Sequence, residues 1–385
     1  MTHFLACMGT RPEIIKMFPV VRTLRERGQP VQVLHTGQHL DMAESLYRFF
    51  DMGPDHRLQL RRSVPGLSAL TAELLEGVDA ILDQTRPDLI LVQGDTTSAL
   101  VGAMAGYFRD IPVVHVEAGL RTGQHDPFPE EKNRELIGRL AQLHFPPTAQ
   151  ARQNLLREGV PDGQVHQVGN TVIDAALWVR RELSRPDAPD VLPPQVRRFL
   201  RMHLPSRLLL VTAHRRENWG LPMRKIASAV AALLQLHPDV IIVWPMHPNP
   251  SVREDIQNTL AALEPAMRTR LCLTDPLDYP ALMAVLAHCH FTLTDSGGIQ
   301  EEASALMRPV LITRESTERQ ELVDAGGARL VGTEPSHIVE EASLLLSSEP
   351  VYKSMQLRRS PFGDGHAAER IADVLQRRFA LQEAA

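Results

Sequence analysis

Short aliphatic runs recur along this chain at nearly regular intervals, each followed by a stretch with helical spacing. In the first half they are His3–Met8, Val31–His35, Asp88–Gln93, Pro112–Val116 and Leu143–Phe145. In the second half they are Leu208–Thr212, Val240–Trp244, Leu271–Leu273, Phe291–Thr294, Val310–Thr313 and Arg329–Val331. Most are continuously apolar rather than alternating, the pattern of a parallel strand covered by helices on both faces. Between the first two, Ile14, Met17, Phe18, Val21 and Leu24 share one helical face, and Gly28 supplies a stop. Parallel neighbours need crossover helices, so this alternation predicts an α/β fold.

The boundary between the two sets of strands falls at about residues 170–206. There Pro186, Pro189, Pro193, Pro194 and Pro205 make a stiff connector around one short helix. Each set is large enough for its own doubly wound sheet. Two such domains facing each other would gather their strand C-terminal ends around one cleft, where open α/β sheets bind ligands. The last helical stretch, about 366–380, fits either domain.

Composition narrows the function. The 385 residues carry 41 basic and 46 acidic side chains, a formal charge of −5, which disfavours a dedicated nucleic-acid binder. A hydrophobic fraction of 43% supports a packed core in each domain. No apolar run approaches the roughly 18 residues of a membrane span, and the first residues, MTHFLACMG, lack the features of a signal peptide. Cys7, Cys272 and Cys289 show no CxxC spacing, so neither a disulfide framework nor a zinc knuckle is expected. A cytoplasmic enzyme is the reading that remains.

Polar residues concentrate where the strands end. After the first strand comes Gly9-Thr10-Arg11-Pro12-Glu13-Ile14-Ile15-Lys16, a tight turn opening a helix. Arg11 and Lys16 suit an anion there, and equally a helix start with two surface cations. Asp95 follows the third run and fits a helix cap as well as a catalytic acid. Glu117 is less easily dismissed, because an acid directly after a buried apolar strand is costly without a partner or a task. Glu130 and Arg134 are four apart, and the spacing favours a surface ion pair near a helix start.

In the second half His214 opens the loop His214-Arg215-Arg216-Glu217-Asn218, where it can titrate near neutral pH or bond a phosphate. His247 lies in a proline-rich loop after the next strand, as a ligand contact or a loop residue. Ser296-Gly297-Gly298 sits between a strand and a helix, the pattern of a phosphate cradle, since close backbone approach needs glycine, with an ordinary glycine turn as the alternative. Glu302, one turn into that helix, is placed to reach ribose hydroxyls. Arg314, Arg319 and Glu321 follow the next strand and can close over the same phosphates.

The sequence contains neither G-x-G-x-x-G nor G-x-x-x-x-G-K-[ST], and no HExxH. His288-Cys289-His290 reads as alternation along a strand edge rather than a metal site. No nicotinamide cofactor and no metal is therefore expected. A nucleotide diphosphate held near acids and a histidine is what these residues support.

At these same residues the sequence resembles the non-hydrolysing bacterial UDP-N-acetylglucosamine 2-epimerases. The matching motifs run in order over nearly the whole chain: GTRPEIIKM at 9–17, GDTTSAL at 94–100, HVEAGLRTG at 115–123, PEEKNR at 129–134, GNTVIDA at 169–175, HRREN at 214–218, TDSGGIQEEA at 294–303 and TERQE at 317–321. The resemblance implies two Rossmann-like doubly wound domains facing a central cleft, of the glycosyltransferase B type, usually in a homodimer. It places residues 1–170 in the first domain and 171–365 in a UDP-binding second domain, with the helix at about 366–380 crossing back to the first.

The resemblance also implies roles. Asp95, Glu117 and Glu130 match the acids of the catalytic cleft, which reverses the ion-pair reading of Glu130. Ser296, Gly297 and Gly298 match the diphosphate cradle, joined by Arg11 and the catalytic His214, and Glu302 the ribose contact. Lys16, Arg134, His247 and Arg319 match further cleft positions. The implied reaction is reversible inversion at C2 of UDP-N-acetylglucosamine through departure of UDP and a 2-acetamidoglucal intermediate.

Two departures from the family pattern stand out. Leu40-Asp41-Met42 lacks the Arg and the Gln or Glu found where the substrate also acts as activator, so a weakened activator site is expected. Leu277 and Leu282 replace a Gln and a Phe near the uracil of many relatives, removing any aromatic stack. The competing readings are a hydrolysing epimerase, a glycosyltransferase of the same fold and an inactive nucleotide-sugar sensor. Arg11-Pro12-Glu13 opposes the first, 5% aromatic content and net acidity the second, and the three retained acids the third.

Overall fold

A computed structural model of the chain describes residues 2–39, 43–62 and 65–380, so Leu40-Asp41-Met42 lies outside the described residues. The chain forms two compact units. One runs to Ala175 and takes in the segment from Phe362, and the other is Ala176–Pro361.

The first unit is built on β1 (Phe4–Met8), β2 (Val31–His35), β3 (His56–Arg57), β4 (Leu89–Gln93), β5 (Val113–Val116) and β6 (Leu143–Phe145). All pairs are parallel, in the order β3-β2-β1-β4-β5-β6. The sequence reading omits β3, an edge strand of two polar residues with no periodicity, formed only because His56 pairs with Leu34. Apolar side chains of β1 and β4 meet the helices Leu67–Thr85 and Thr97–Phe108 in a core that includes Leu5, Cys7, Leu74, Val78 and Val92. Gly102 lets the second of these helices approach closely, since a Cβ there would stand 3.0 Å from Val92 and 3.1 Å from Cys7.

The helix Arg11–Glu26 starts where its chemistry says it should, with Thr10 at the N-cap, Pro12 in the first turn and an acid, Glu13, directly after it. Gly28 takes φ +75 just beyond its end. The C-terminal helix Ala367–Ala380 packs on it, burying Ile371, Ala372 and Leu375. Arg27 pairs there with Asp373 at 2.6 Å, and Asp174 accepts the Ala368 backbone N–H at 2.8 Å.

The second unit has β7 (Arg207–Thr212), β8 (Val240–Pro245), β9 (Leu271–Thr274), β10 (Phe291–Thr294), β11 (Val310–Ile312) and β12 (Ala328–Leu330). Its order, β12-β11-β10-β7-β8-β9, repeats that of the first unit and is again wholly parallel. The fully buried Trp244 lies in a core with Leu209, Val211, Ile242, Val230 and Ile338. The expectation for His288-Cys289-His290 is corrected. His288 ends the helix Tyr279–His288 and Cys289 caps it, because the preceding apolar positions continue a helical rather than an alternating face. Among the described residues no helix is long and apolar enough to cross a membrane.

In each sheet the winding direction reverses between two adjacent strands, β1 and β4 in one, β7 and β10 in the other. Loops leaving such strands diverge to opposite faces and open a crevice at the carboxyl ends.

Candidate active site

In the first unit this crevice is a cavity of about 320 Å³, within the usual range of roughly 300–1,000 Å³ for small-molecule sites. Its wall brings together Lys16, Asp95, Glu117 and Glu130 from four separate stretches of chain, with Glu13 and Gln93 beside them.

Glu117 sits just past β5 at φ +61, a left-handed conformation that is uncommon for a side chain of this size. It is 7% exposed, and its carboxylate is held from two sides. Lys16 Nζ lies 2.7 Å from one oxygen and 2.6 Å from the other, and Gln93 Nε2 donates at 2.7 Å. A strained backbone and a nearly desolvated ion pair at one residue indicate that the carboxylate is fixed for a purpose.

Asp95 is not a helix cap. Thr96 takes that role, its hydroxyl accepting from the Ala99 N–H at 3.0 Å. The Asp95 carboxylate instead faces Arg134 Nη2 at 2.9 Å, and its backbone carbonyl accepts from Asn133 Nδ2 at 2.8 Å. Successive residues of the helix Glu130–Leu140 therefore hold both ends of Asp95. The expected surface pair of Glu130 with Arg134 is also corrected. Arg134 is 9% exposed, turns to Asp95 and Glu131, and meets Glu130 only through its backbone carbonyl at 3.3 Å. This leaves the Glu130 side chain, half-buried, on the cavity wall.

His115, on β5, supports the same turn. Its Nε2 lies 2.7 Å from the Gly94 carbonyl oxygen, which can only accept, so the imidazole donates from that nitrogen. Burial holds its pKa down at about 3, so the ring stays neutral. Arg11 is half-buried at the first position of its helix.

In the second unit His214 and Arg215 follow β7, and Ser296 follows β10. Thr212 and Thr294 are in register, which sets these two turns side by side. Gly297 begins the helix Gly297–Ala305, Gly298 is next, and Glu302 is 6% exposed on it. Arg319 lies against Gly297, where a Cβ would come within 3.3 Å of its guanidinium carbon. His247, after β8, accepts the Asn249 N–H on Nδ1 at 3.1 Å and lies 5.6 Å from the Trp219 ring. Arg314 is tied to Glu217 at 2.7 Å and to Glu318 at 2.9 Å. Leu277 and Leu282 are both buried. Among the described residues no group of three His, Cys, Asp or Glu has the arrangement of a metal site.

A family model described as UDP-N-acetylglucosamine 2-epimerase matches residues 22–376. The UDP-N-acetylglucosamine 2-epimerase of Yersinia pestis is 43% identical over 374 residues, covering 97% of this chain and 98% of that protein. The chain belongs to the UDP-N-acetylglucosamine 2-epimerase family. Its fold is also that of solved family members. The Neisseria meningitidis enzyme, solved bound to UDP-GlcNAc, is 35% identical with a TM-score of 0.85, covering 97% of this chain and 100% of that one. The MnaA protein of S. aureus, solved with UDP, is 36% identical with a TM-score of 0.85, covering 99% and 98%.

Within this epimerase family fold, the structure adds residues that sequence reasoning did not single out. Gln93 and Asn133 bond two of the candidate acids or their turns. Glu131, 1% exposed, accepts the Thr122 and Gly123 N–H groups at 3.0 Å each and so fixes the loop after Glu117. Glu13 accepts from Gly9 and Thr10, and Asp295 and Glu301 stand behind His214 and Arg319 of the second unit. Glu13 alone had a readable signal, the Thr10-x-x-Glu13 spacing of a capping box.

Proposed function

We propose that this protein interconverts UDP-N-acetylglucosamine and UDP-N-acetylmannosamine without net hydrolysis. The observation that carries the reading is the cavity of the first unit, where three carboxylates and one ammonium line a space suited to a sugar. The ligands named for the Neisseria and S. aureus structures, UDP-GlcNAc and UDP, support the same substrate here.

The C2 proton of the sugar is not next to a carbonyl, so its direct removal at neutral pH is very slow. Departure of UDP, carrying the electrons of the C1–O bond, builds oxocarbenium character at C1 and acidifies C2–H. A carboxylate then accepts the C2 proton as the C1–C2 double bond forms, giving 2-acetamidoglucal and UDP. In the second half a proton returns to C2 from the opposite face while a UDP oxygen re-forms the bond to C1. Asp95, Glu117 and Glu130 are the candidate proton carriers, since they line one cavity from three directions. His214, Arg319 and the N–H groups after Ser296 stabilise the departing diphosphate, with Gly297 and Gly298 allowing close approach. Glu302 takes the ribose. Lys16 and Arg134 hold the Glu117 and Asp95 carboxylates in place, and His247 adds a donor at the neighbouring strand end. A homodimer belongs to the same reading, supported by the family resemblance, and light scattering tests it.

Proton NMR of the protein with UDP-N-acetylglucosamine in D₂O tests the reaction. Appearance of UDP-N-acetylmannosamine with deuterium at C2 is the expected outcome. Free N-acetylmannosamine with an equal amount of UDP would replace this reading by the hydrolysing one, and an unchanged spectrum would reject both.

A further inference from the structure

The proposed diphosphate site has a second layer that the family resemblance does not assign. Asp295, fully buried directly after β10, lies 3.2 Å from Nδ1 of His214. The same carboxylate accepts the backbone N–H groups of His214 and Arg215 and Nδ2 of Asn218, each at 2.9 Å. The whole turn after β7 is thus folded around one acid. Six residues later Glu301, 2% exposed, pairs with Nε of Arg319 at 2.9 Å. That pair holds the guanidinium against Gly297. Both acids belong to the segment that carries the Ser296–Gly297 turn, and each stands behind a side chain expected at the phosphates.

We propose that Asp295 and Glu301 are positioning residues for the leaving diphosphate, Asp295 setting His214 and Glu301 setting Arg319 before ligand arrives. The proposal rests on the reading that this turn binds UDP. The buried Asp295 carboxylate beside Nδ1 fixes the orientation of the His214 ring. Glu301 engages Nε of Arg319 and so sets the guanidinium against Gly297. Both acids are buried, so each acts through the side chain it holds.

Calorimetry on the full chain, with UDP and with uridine, tests this. Asp295→Asn and Glu301→Gln are expected to weaken UDP binding at least tenfold and leave uridine binding within twofold. In turnover the loss should appear mainly in KM. Because Glu301 acts through Arg319, Glu301→Gln in an Arg319→Gln background should add less than twofold. Equal losses for UDP and uridine would overturn the proposal, as would a full further loss in the double variant. If Asp295→Asn does not fold, the Glu301 and Arg319 cycle decides alone. Failure of the unaltered protein to bind UDP would reject the underlying site reading, a different result from either.

Discussion

At the scale of the residue, Glu13 shows how a buried acid ties two turns together. It is 1% exposed and accepts from the Gly9 N–H at 3.0 Å, the Thr10 N–H at 2.8 Å and the Thr96 hydroxyl at 2.7 Å. One carboxylate therefore joins the turn after β1 to the turn that carries Asp95. Burial pushes its pKa up to about 7, and the donors offset this only in part. In the unfolded chain the same group ionises near about 4.3. Between those values the unfolded state has released a proton that the native state keeps, so this residue's contribution to stability falls as pH rises through the window and is level above it. At about 1.4 kcal/mol per pKa unit the full swing is on the order of 3 kcal/mol. Glu13→Gln removes that titration. Urea melts at pH 4.5 and pH 8 should show the variant gaining on the parent by about that amount as pH rises. A difference that does not change with pH would mean Glu13 is ionised throughout.

At the scale of the element, the site depends on how tightly the strand ends are sewn together. A Cβ on Gly9 would collide with the side-chain oxygens of Thr36 and Ser98, which bond each other at 2.6 Å. Gly9→Ala should therefore break that bond and displace the turn bearing Thr10 and Arg11. The expected cost is roughly 1–3 kcal/mol, the usual range for overpacking. An unchanged urea midpoint would show that β2 and the helix Thr97–Phe108 can yield there. These strands were legible because full burial demands unbroken apolar runs, and β3 was not, because its two residues are ordered by their neighbour alone. The positions of the polar residues at strand ends were legible for the same reason. Their partners were not. Arg134 lies four residues from Glu130 and far in sequence from Asp95, yet it pairs with Asp95, since the choice depends on which face of the helix meets the turn after β4. Asp295 and Glu301 escaped notice because a buried acid looks like any helix-start acid until the cation in front of it is seen.

At the scale of the whole molecule, the chain leaves its first unit once and returns to it once. The second unit is therefore one continuous segment with its own core, whereas the first is completed by residues from the far end of the sequence. The helix Ala367–Ala380 buries Ile371, Ala372 and Leu375 in the first unit and contributes the Arg27–Asp373 pair. Removing it exposes apolar area on one unit only. At about 2–5 kcal/mol for each large buried side chain lost, this approaches the whole stability of an average domain. A variant ending at Pro361 should accordingly melt in two steps by calorimetry. The first unit should unfold at a sharply lower temperature, and the second within a degree or two of its place in the full chain. UDP should still raise the second transition, because His214, Ser296, Glu302 and Arg319 all lie in Ala176–Pro361. A single transition lowered for the entire protein would overturn this and show that the two units unfold cooperatively.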